Sequence, residues 1–287
     1  MTNNKITRRK FIEVAGSTII VASTPAYLKN LSTALNPKPY PGRKGNRIDL
    51  PLTRVGFGAQ RTNDPDLIRF ALDNGINHVE TSWAYGFGRR GNNCECVGKA
   101  IKGKRDSIYL LVAYWIIKSA SQQFSIQNQF EQSLKDLGTD YIDVFLWKQP
   151  EGLESITDEH NEYLQKLKSQ GKVRWSGIIH HEKQDVYLQH VAFSRVHDVC
   201  VVAFNYKSPQ EHIQAVKKAA KKGVVVIAMK TQSPNYLLGE SLGDAPDHVK
   251  ALEWVLSNKS ISSAIPGMTT KAQVEMNVKL MNKIQKL

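Results

Sequence analysis

The stretch VFLWKQPEG, residues 144–152, has an apolar run from Val144 to Trp147 that ends on a lysine, Lys148. An ammonium sealed in a core is costly, because burial disfavours the charged form. Lys148 must therefore reach solvent, pair with a carboxylate, or face a polar site. Other apolar runs end on groups that can hold charge or exchange protons. INHVETS carries Glu80, with Tyr85 shortly after it; SIYLLVAYW ends on Tyr114 and Trp115. His180 and His181 follow VRWSGII, Asn205 and Tyr206 follow DVCVVAF, and Met229 and Lys230 end VVVIAMK. The stretch AIPGMTT, with Gly267, Met268 and Thr269, is a Pro–Gly turn leading into a helix. The unpaired N–H groups of such a helix start suit a phosphate, and Lys271 in the first turn adds charge. The His180–His181 pair invites a metal reading. Adjacent residues at a strand end diverge, however, and no further Cys/His cluster accompanies them, so no metal site is assigned.

What would position these residues is an alternation along the chain. TRVGFGA precedes DPDLIRFALDNG, in which Leu67, Phe70 and Ala71 share one helical face. The pattern recurs through SIYLLVAYW and SIQNQFEQSLKDLG, YIDVFLW and DEHNEYLQKLKSQG, and onward to ISSAIPG and TKAQVEMNVKLMNKI. Continuous β-branched strands alternating with amphipathic helices indicate parallel pairing with helices outside. Eight such units at this length fit a (β/α)₈ TIM barrel. An open doubly wound sheet is the runner-up, but no G-x-G-x-x-G follows the first strand. In a barrel, chemistry sits where strands end and the following loops begin. Lys148 occupies such a position and can project into a polar mouth.

The composition narrows the classes further. Of 287 residues, 41% are hydrophobic, enough for a real core. The formal net charge of +13 favours acidic partners. Its lysines are spread over helix ends, as in KAIKGKR and KKAAKKG, without zinc-finger spacing or an aromatic-interleaved RNA motif. No nucleic-acid partner is assigned. Three cysteines, Cys94, Cys96 and Cys200, make neither a disulfide framework nor a four-ligand site. The start of the chain, TRRKFIEVAGSTIIVASTPA, pairs Arg8 and Arg9 with a short apolar run and small residues up to Ala26. This is the layout of an export signal, similar to the twin-arginine translocation signal of prokaryotes. The apolar run is too short for a spanning helix, although retention as an uncleaved anchor is an alternative. The expected organisation is a signal over 1–26, a linker over 27–46 and a barrel over 47–287. The expected location is the periplasm or cell envelope, reached through the twin-arginine machinery.

Several stretches in order resemble the aldo/keto reductase family over residues 47–287. VETSWAYGFG is similar to D-T-A-x-x-Y-G, and CECVGKAIKGKRDSIYL to S-E-x-x-x-G-x-A-L-x-x-x-R. LGTDYIDVFLW is similar to L-x-x-D-Y-I-D-L-Y-L, while QGKVRWSGI and AIPGMTTKAQVEMN resemble segments that help bind the nicotinamide cofactor. The last helix runs to the chain terminus, without the long C-terminal substrate loop of many members. The resemblance implies NADP(H)-linked interconversion of carbonyl and alcohol on a small-molecule substrate. It places Tyr85 at the proton-donating tyrosine and Glu80 at an aspartate. The family's lysine falls at Trp115 and its histidine at Lys148. Lys148 could then replace the lost lysine's charge from another strand, with Lys118 a second candidate. The Ser–Asn pair that holds the carboxamide falls at Ile179 and His180, and an aromatic position at Met229. Expected cofactor-binding residues are His180, Asn205, Met229, Lys230, Gly267, Met268, Thr269, Lys271, Gln273 and Asn277. The altered site leaves a second reading, a non-redox barrel with a cationic pocket for an anionic ligand. Outside the cytoplasm a reductase also needs its cofactor re-reduced. Tight retention, an electron-transfer partner, or abandonment of nicotinamide each answer that need.

Overall fold

Each of eight strands is followed by a helix in the computed structural model, which describes residues 46–86, 92–116, 125–148, 152–232 and 245–285. The segment with Arg8 and Arg9, the linker up to residue 45, and Lys118 lie outside the described residues. The described residues fall in one compact unit, Pro39–Leu287. The first half contains β1 (Phe57–Gly58), α1 (Pro65–Asp73), β2 (His78–Ser82), α2 (Asn92–Ile101), β3 (Tyr109–Trp115), α3 (Ile126–Leu137), β4 (Ile142–Lys148) and α4 (Asp158–Ser169). The second contains β5 (Val173–His180), α5 (Gln184–Phe193), β6 (Val199–Ala203), α6 (Gln210–Lys221), β7 (Val225–Met229), α7 (Ala245–Ser257), β8 (Ser263–Ala264) and α8 (Lys271–Gln285). The strands pair in sequence order, all parallel. Parallel bridges Val55–Ala264 and Gly58–Gly267 join the last strand to the first. The sheet is thus a closed (β/α)₈ barrel, as the alternation predicts.

Local chemistry sets the element ends. Asp64 caps α1 by accepting from the Asp66 and Leu67 N–H groups, with Pro65 at the first helical position. Ser125 caps α3, which stops at Gly138 in the left-handed region (φ 64°). Thr157 and His160 form a reciprocal capping box on α4.

Strand alternation divides the apolar residues into two sets. Leu111, Ala113, Val144, Leu146, Ile179, Val201, Ile227 and Met229 belong to the set that fills the barrel. Leu110, Val112, Phe145, Trp147, Ile178, Val202 and Ala228 pack outward with helix residues such as Phe130, Leu164 and Leu188. Trp147 meets Phe145 edge-on at 4.7 Å between centroids. Lys148 is therefore on the inward parity of β4, two residues above Leu146. At the opposite end, buried Asp143 pairs with Arg105 (2.9 Å) and Arg174 (3.0 Å) and accepts the Leu110 N–H (2.9 Å). That network ties β3, β4 and β5 together away from the mouth. No helix among the described residues is long and apolar enough to cross a membrane.

Candidate active site

Lys148 ends β4 at 3% exposure. Its Nζ donates to the Tyr85 hydroxyl at 2.6 Å, and that hydroxyl donates to Glu80 Oε1 at 3.1 Å. The ammonium also lies 3.9 Å from the Tyr85 ring centroid and 5.6 Å from that of Trp115. Register explains this gathering. Trp115 on β3 pairs with Lys148, which pairs with Ile179 on β5. Glu80 comes from the inward parity of β2, and a turn folds Tyr85 back over it. Tyr85 N–H bonds to Ser82 O (3.0 Å), while the Ser82 hydroxyl donates to Ala113 O (2.6 Å) and accepts from Ala84 N–H (3.2 Å). Ser82 thus anchors the tyrosine's turn to β3.

A phenol between an ammonium and a carboxylate can lose and regain a proton with both products stabilised. Burial pulls the Lys148 ammonium down to about 8, with the Glu80 charge acting against the shift. Burial raises the Glu80 carboxyl, opposed first by Lys148, then by the Tyr85 hydrogen bond and Lys230. Each member of the Glu80–Lys148 pair keeps the other charged in a place that favours neither charge alone.

Glu80 and Tyr85 open onto a cavity of ≈ 510 Å³, a size suited to a small-molecule ligand. Of the residues expected at a cofactor, Met229, Lys230, Gly267, Thr269, Gln273 and Asn277 line it. Four others are placed differently. His180 points away from the barrel interior and stacks on Tyr187 of α5 (4.2 Å, 18°), its Nδ1 accepting the Glu182 N–H at 2.9 Å. Asn205 ties the turn after β6 to β7 by donating to Lys230 O (3.2 Å). Met268 is packed in the outer core, and the exposed Lys271 lies 5.3 Å from the Phe70 ring centroid. The amides of Thr269 and Thr270, expected to await a phosphate, are taken by Gln273 Oε1 (2.7 and 3.3 Å). They serve a phosphate only once that side chain turns away.

Sequence reasoning passed over Arg61 and Thr231, and placed His181 at a strand end without assigning it to the cavity; all three line it. The available signal for His181 was alternation: Ile179 faces inward, so the residue two further on does as well. Arg61 and Lys230 supply positive charge, and burial, then Arg61, hold the Lys230 ammonium down at about 8. Thr231 Oγ1 is buried with no hydrogen-bond partner among the described residues. Two cations and an unanswered hydroxyl on one cavity wall fit an anionic nucleotide cofactor. Among the described residues no group of three or more His, Cys, Asp or Glu side chains is arranged to hold a metal ion.

Comparison with known proteins bears on the family and the fold. The family model described as "Aldo/keto reductase family" matches residues 56–249. Aldo-keto reductase YhdN of Bacillus subtilis is 36% identical over 149 residues, 48% of this chain and 44% of that protein. The chain thus matches less than half the length of that relative. The uncharacterized oxidoreductase YqkF of the same organism is 25% identical over 84% of this chain and 90% of its own. Among solved structures, aldo-keto reductase AKR11C1 of Bacillus halodurans superposes with a TM-score of 0.67 at 22% identity, over 85% of this chain and 95% of that one. An aldo-keto reductase of Klebsiella pneumoniae, solved with NADPH, gives 0.67 at 20% identity over 84% and 90%.

Proposed function

Because the chain belongs to the aldo/keto reductase family, we propose that it interconverts carbonyls and alcohols with NADP(H) through Tyr85, Glu80 and Lys148. The observation that carries this reading is the hydrogen-bonded chain Lys148–Tyr85–Glu80, whose last two members line the cavity. The Klebsiella pneumoniae complex with NADPH supports the choice of cofactor. Lys230, Asn277, Thr231 and Arg61 would hold it against the cavity wall. When bound, a reduced nicotinamide supplies the hydride that the carbonyl carbon takes up. Tyr85 gives its proton to the carbonyl oxygen as the π pair moves onto that atom. The Lys148 ammonium, 2.6 Å from the phenol oxygen, stabilises the phenolate left behind. Glu80 keeps that ammonium charged and fixes the direction of the phenol.

The test is NADPH oxidation by purified protein over a panel of aldehydes, ketones and keto acids, with Tyr85→Phe beside it. The variant is expected to keep NADPH affinity and lose ~10²–10⁴-fold in kcat. Failure to bind NADPH at millimolar concentration removes the reductase reading. NADPH binding without reduction of any carbonyl, together with salt-sensitive capture of small anions, would favour the non-redox cationic barrel.

For location, the paired arginines Arg8 and Arg9 support twin-arginine export. Residues 1–30 fused to a folded reporter are expected to carry it across the membrane, and Arg8→Lys with Arg9→Lys to stop it. Unchanged delivery by the double variant rules that route out.

A further inference from the structure

The end of the barrel opposite the mouth carries a patch that carbonyl chemistry does not use. Phe193 ends α5 and is 71% exposed, with Lys222 Nζ 5.4 Å from its ring centroid. Lys222 closes α6, whose end reads KKAAKKG. Ala219 and Ala220 are buried there, while Lys217, Lys218, Lys221 and Lys222 stand in solvent. Arg195, two residues past Phe193, is exposed as well. These five cations form no ion pair among the described residues. The acids of the same two strand–helix units do not neutralise them. Asp185 and Glu211 lie in the first turns of α5 and α6, at the other end of each helix, and Asp198 pairs with Arg47 (3.4 Å). Lysines in a last helical turn are favoured by the helix dipole, which accounts for their place in the sequence. It does not account for an open phenyl ring among them.

The chain outside the described residues joins the barrel at this same place. The Arg47 N–H donates to Gly223 O (2.9 Å), directly after Lys222. Its guanidinium donates to Val191 O (2.7 Å) and Ser194 O (3.3 Å), on either side of Phe193. Residues 1–45 carry eight basic side chains against one acid, Glu13, together with the apolar run that begins at Val14. Like charge argues against that segment as the partner of the patch. It argues equally against a second copy, because an isologous contact sets lysine against lysine. An anionic membrane surface meets both features, its headgroups answering the lysines while the ring enters the boundary beneath them. We propose that the face formed by Phe193, Arg195 and the four lysines of α6 docks on an anionic phospholipid bilayer, with the barrel mouth turned toward water. The cavity lies at the opposite strand ends, so docking leaves it open and is independent of the reductase reading.

The experiment uses the full chain with Phe193→Cys, labelled by an environment-sensitive fluorophore. Cys94, Cys96 and Cys200 are buried, so the label goes to position 193. Tyr206→Cys, at a site 42% exposed just past the mouth end of β6, carries the label as control. Each is mixed with vesicles of phosphatidylcholine, or of equimolar phosphatidylcholine and phosphatidylglycerol. The label at 193 is expected to brighten and shift to the blue on the anionic vesicles alone, and the label at 206 to stay unchanged. Lys217, Lys218, Lys221 and Lys222 all changed to Gln should weaken that binding about 10-fold or more, and ~1 M salt should reverse it. Sedimentation with anionic vesicles while the label at 193 does not respond assigns the binding to residues 1–45 and overturns the proposal. So do an equal response at 206, an equal response to phosphatidylcholine alone, and glutamine variants that bind as tightly as the parent. A response at 193 to a single-stranded oligonucleotide as strong as to the vesicles would make the partner a nucleic acid. A response that grows with protein concentration without vesicles would make it a second copy. Either result overturns the membrane assignment.

Discussion

At Lys148, burial and partnership pull in opposite directions. Burial draws its pKa from the ordinary lysine value of 10.5 down to about 8, while the proposed chemistry needs the ammonium beside Tyr85. The sign of the pH effect follows. Reduction is expected to hold level below about pH 8 and to fall above it, as the ammonium that stabilises the Tyr85 phenolate is lost. Lys148→Met is expected to lose about 10²-fold in kcat with cofactor affinity nearly intact. Lys148→Arg keeps its charge at all working pH values and should move the alkaline limb upward. A limb unmoved in an active arginine variant assigns it to another group. Stability runs the other way. The unfolded chain binds this proton more tightly than the folded one, so folding stability should rise between about pH 8 and about 10.5. Lys148 was conspicuous in the sequence because a charge ended an apolar run. Its contact with Tyr85 was not, since that depends on a turn folded back through Ser82.

Among the elements, the seam between β8 and β1 is the shortest, with two residues in each strand. A buried histidine reinforces it. His78 Nε2 lies 2.9 Å from the Ser263 hydroxyl, and its ring packs against Gly56, where a Cβ would stand 2.1 Å from Nε2. Gly56→Ala must displace that ring or part the strands, and about 1–3 kcal/mol of stability should go with it, read as a lower denaturation midpoint. Burial holds the His78 pKa at about 3 against 6.5 for an ordinary histidine. The unfolded chain therefore takes up the proton first, and stability contributed by this group is lost as pH falls below 6.5. Hydrogen-exchange protection at Gly56 and Ala264 should decline between pH 7 and pH 5 more than at the centre of β3 and β4. Equal decline everywhere would assign the acid effect to global unfolding. The eight units were legible because strand and helix periods alternate so plainly. Which of two neighbouring histidines faces the mouth was decided by pleat parity, carried up from Ile179, and His180 turned outward onto Tyr187.

For the whole molecule, the sequence showed an excess of positive charge but not where it acts. The chain carries a formal +13, and lysines scattered over helix ends give a broad field. The cavity adds a local term, because Arg61 and Lys230 line one wall. Arg61 escaped notice in the sequence because it belongs to the short turn after β1 and ends no apolar run. The two sources respond differently to the same measurement. Raising salt from ~0.1 to ~1 M shortens the Debye length from about 10 to about 3 Å. NADPH binding to wild type should therefore weaken several-fold. Arg61→Leu with Lys230→Gln leaves the net charge strongly positive, so a broad field would survive the change almost whole. If the cavity pair supplies the attraction, the double variant binds NADPH more weakly at low salt and loses most of the salt dependence. A salt slope equal to that of wild type would place the attraction in the general surface charge and remove Arg61 and Lys230 from the cofactor's binding residues.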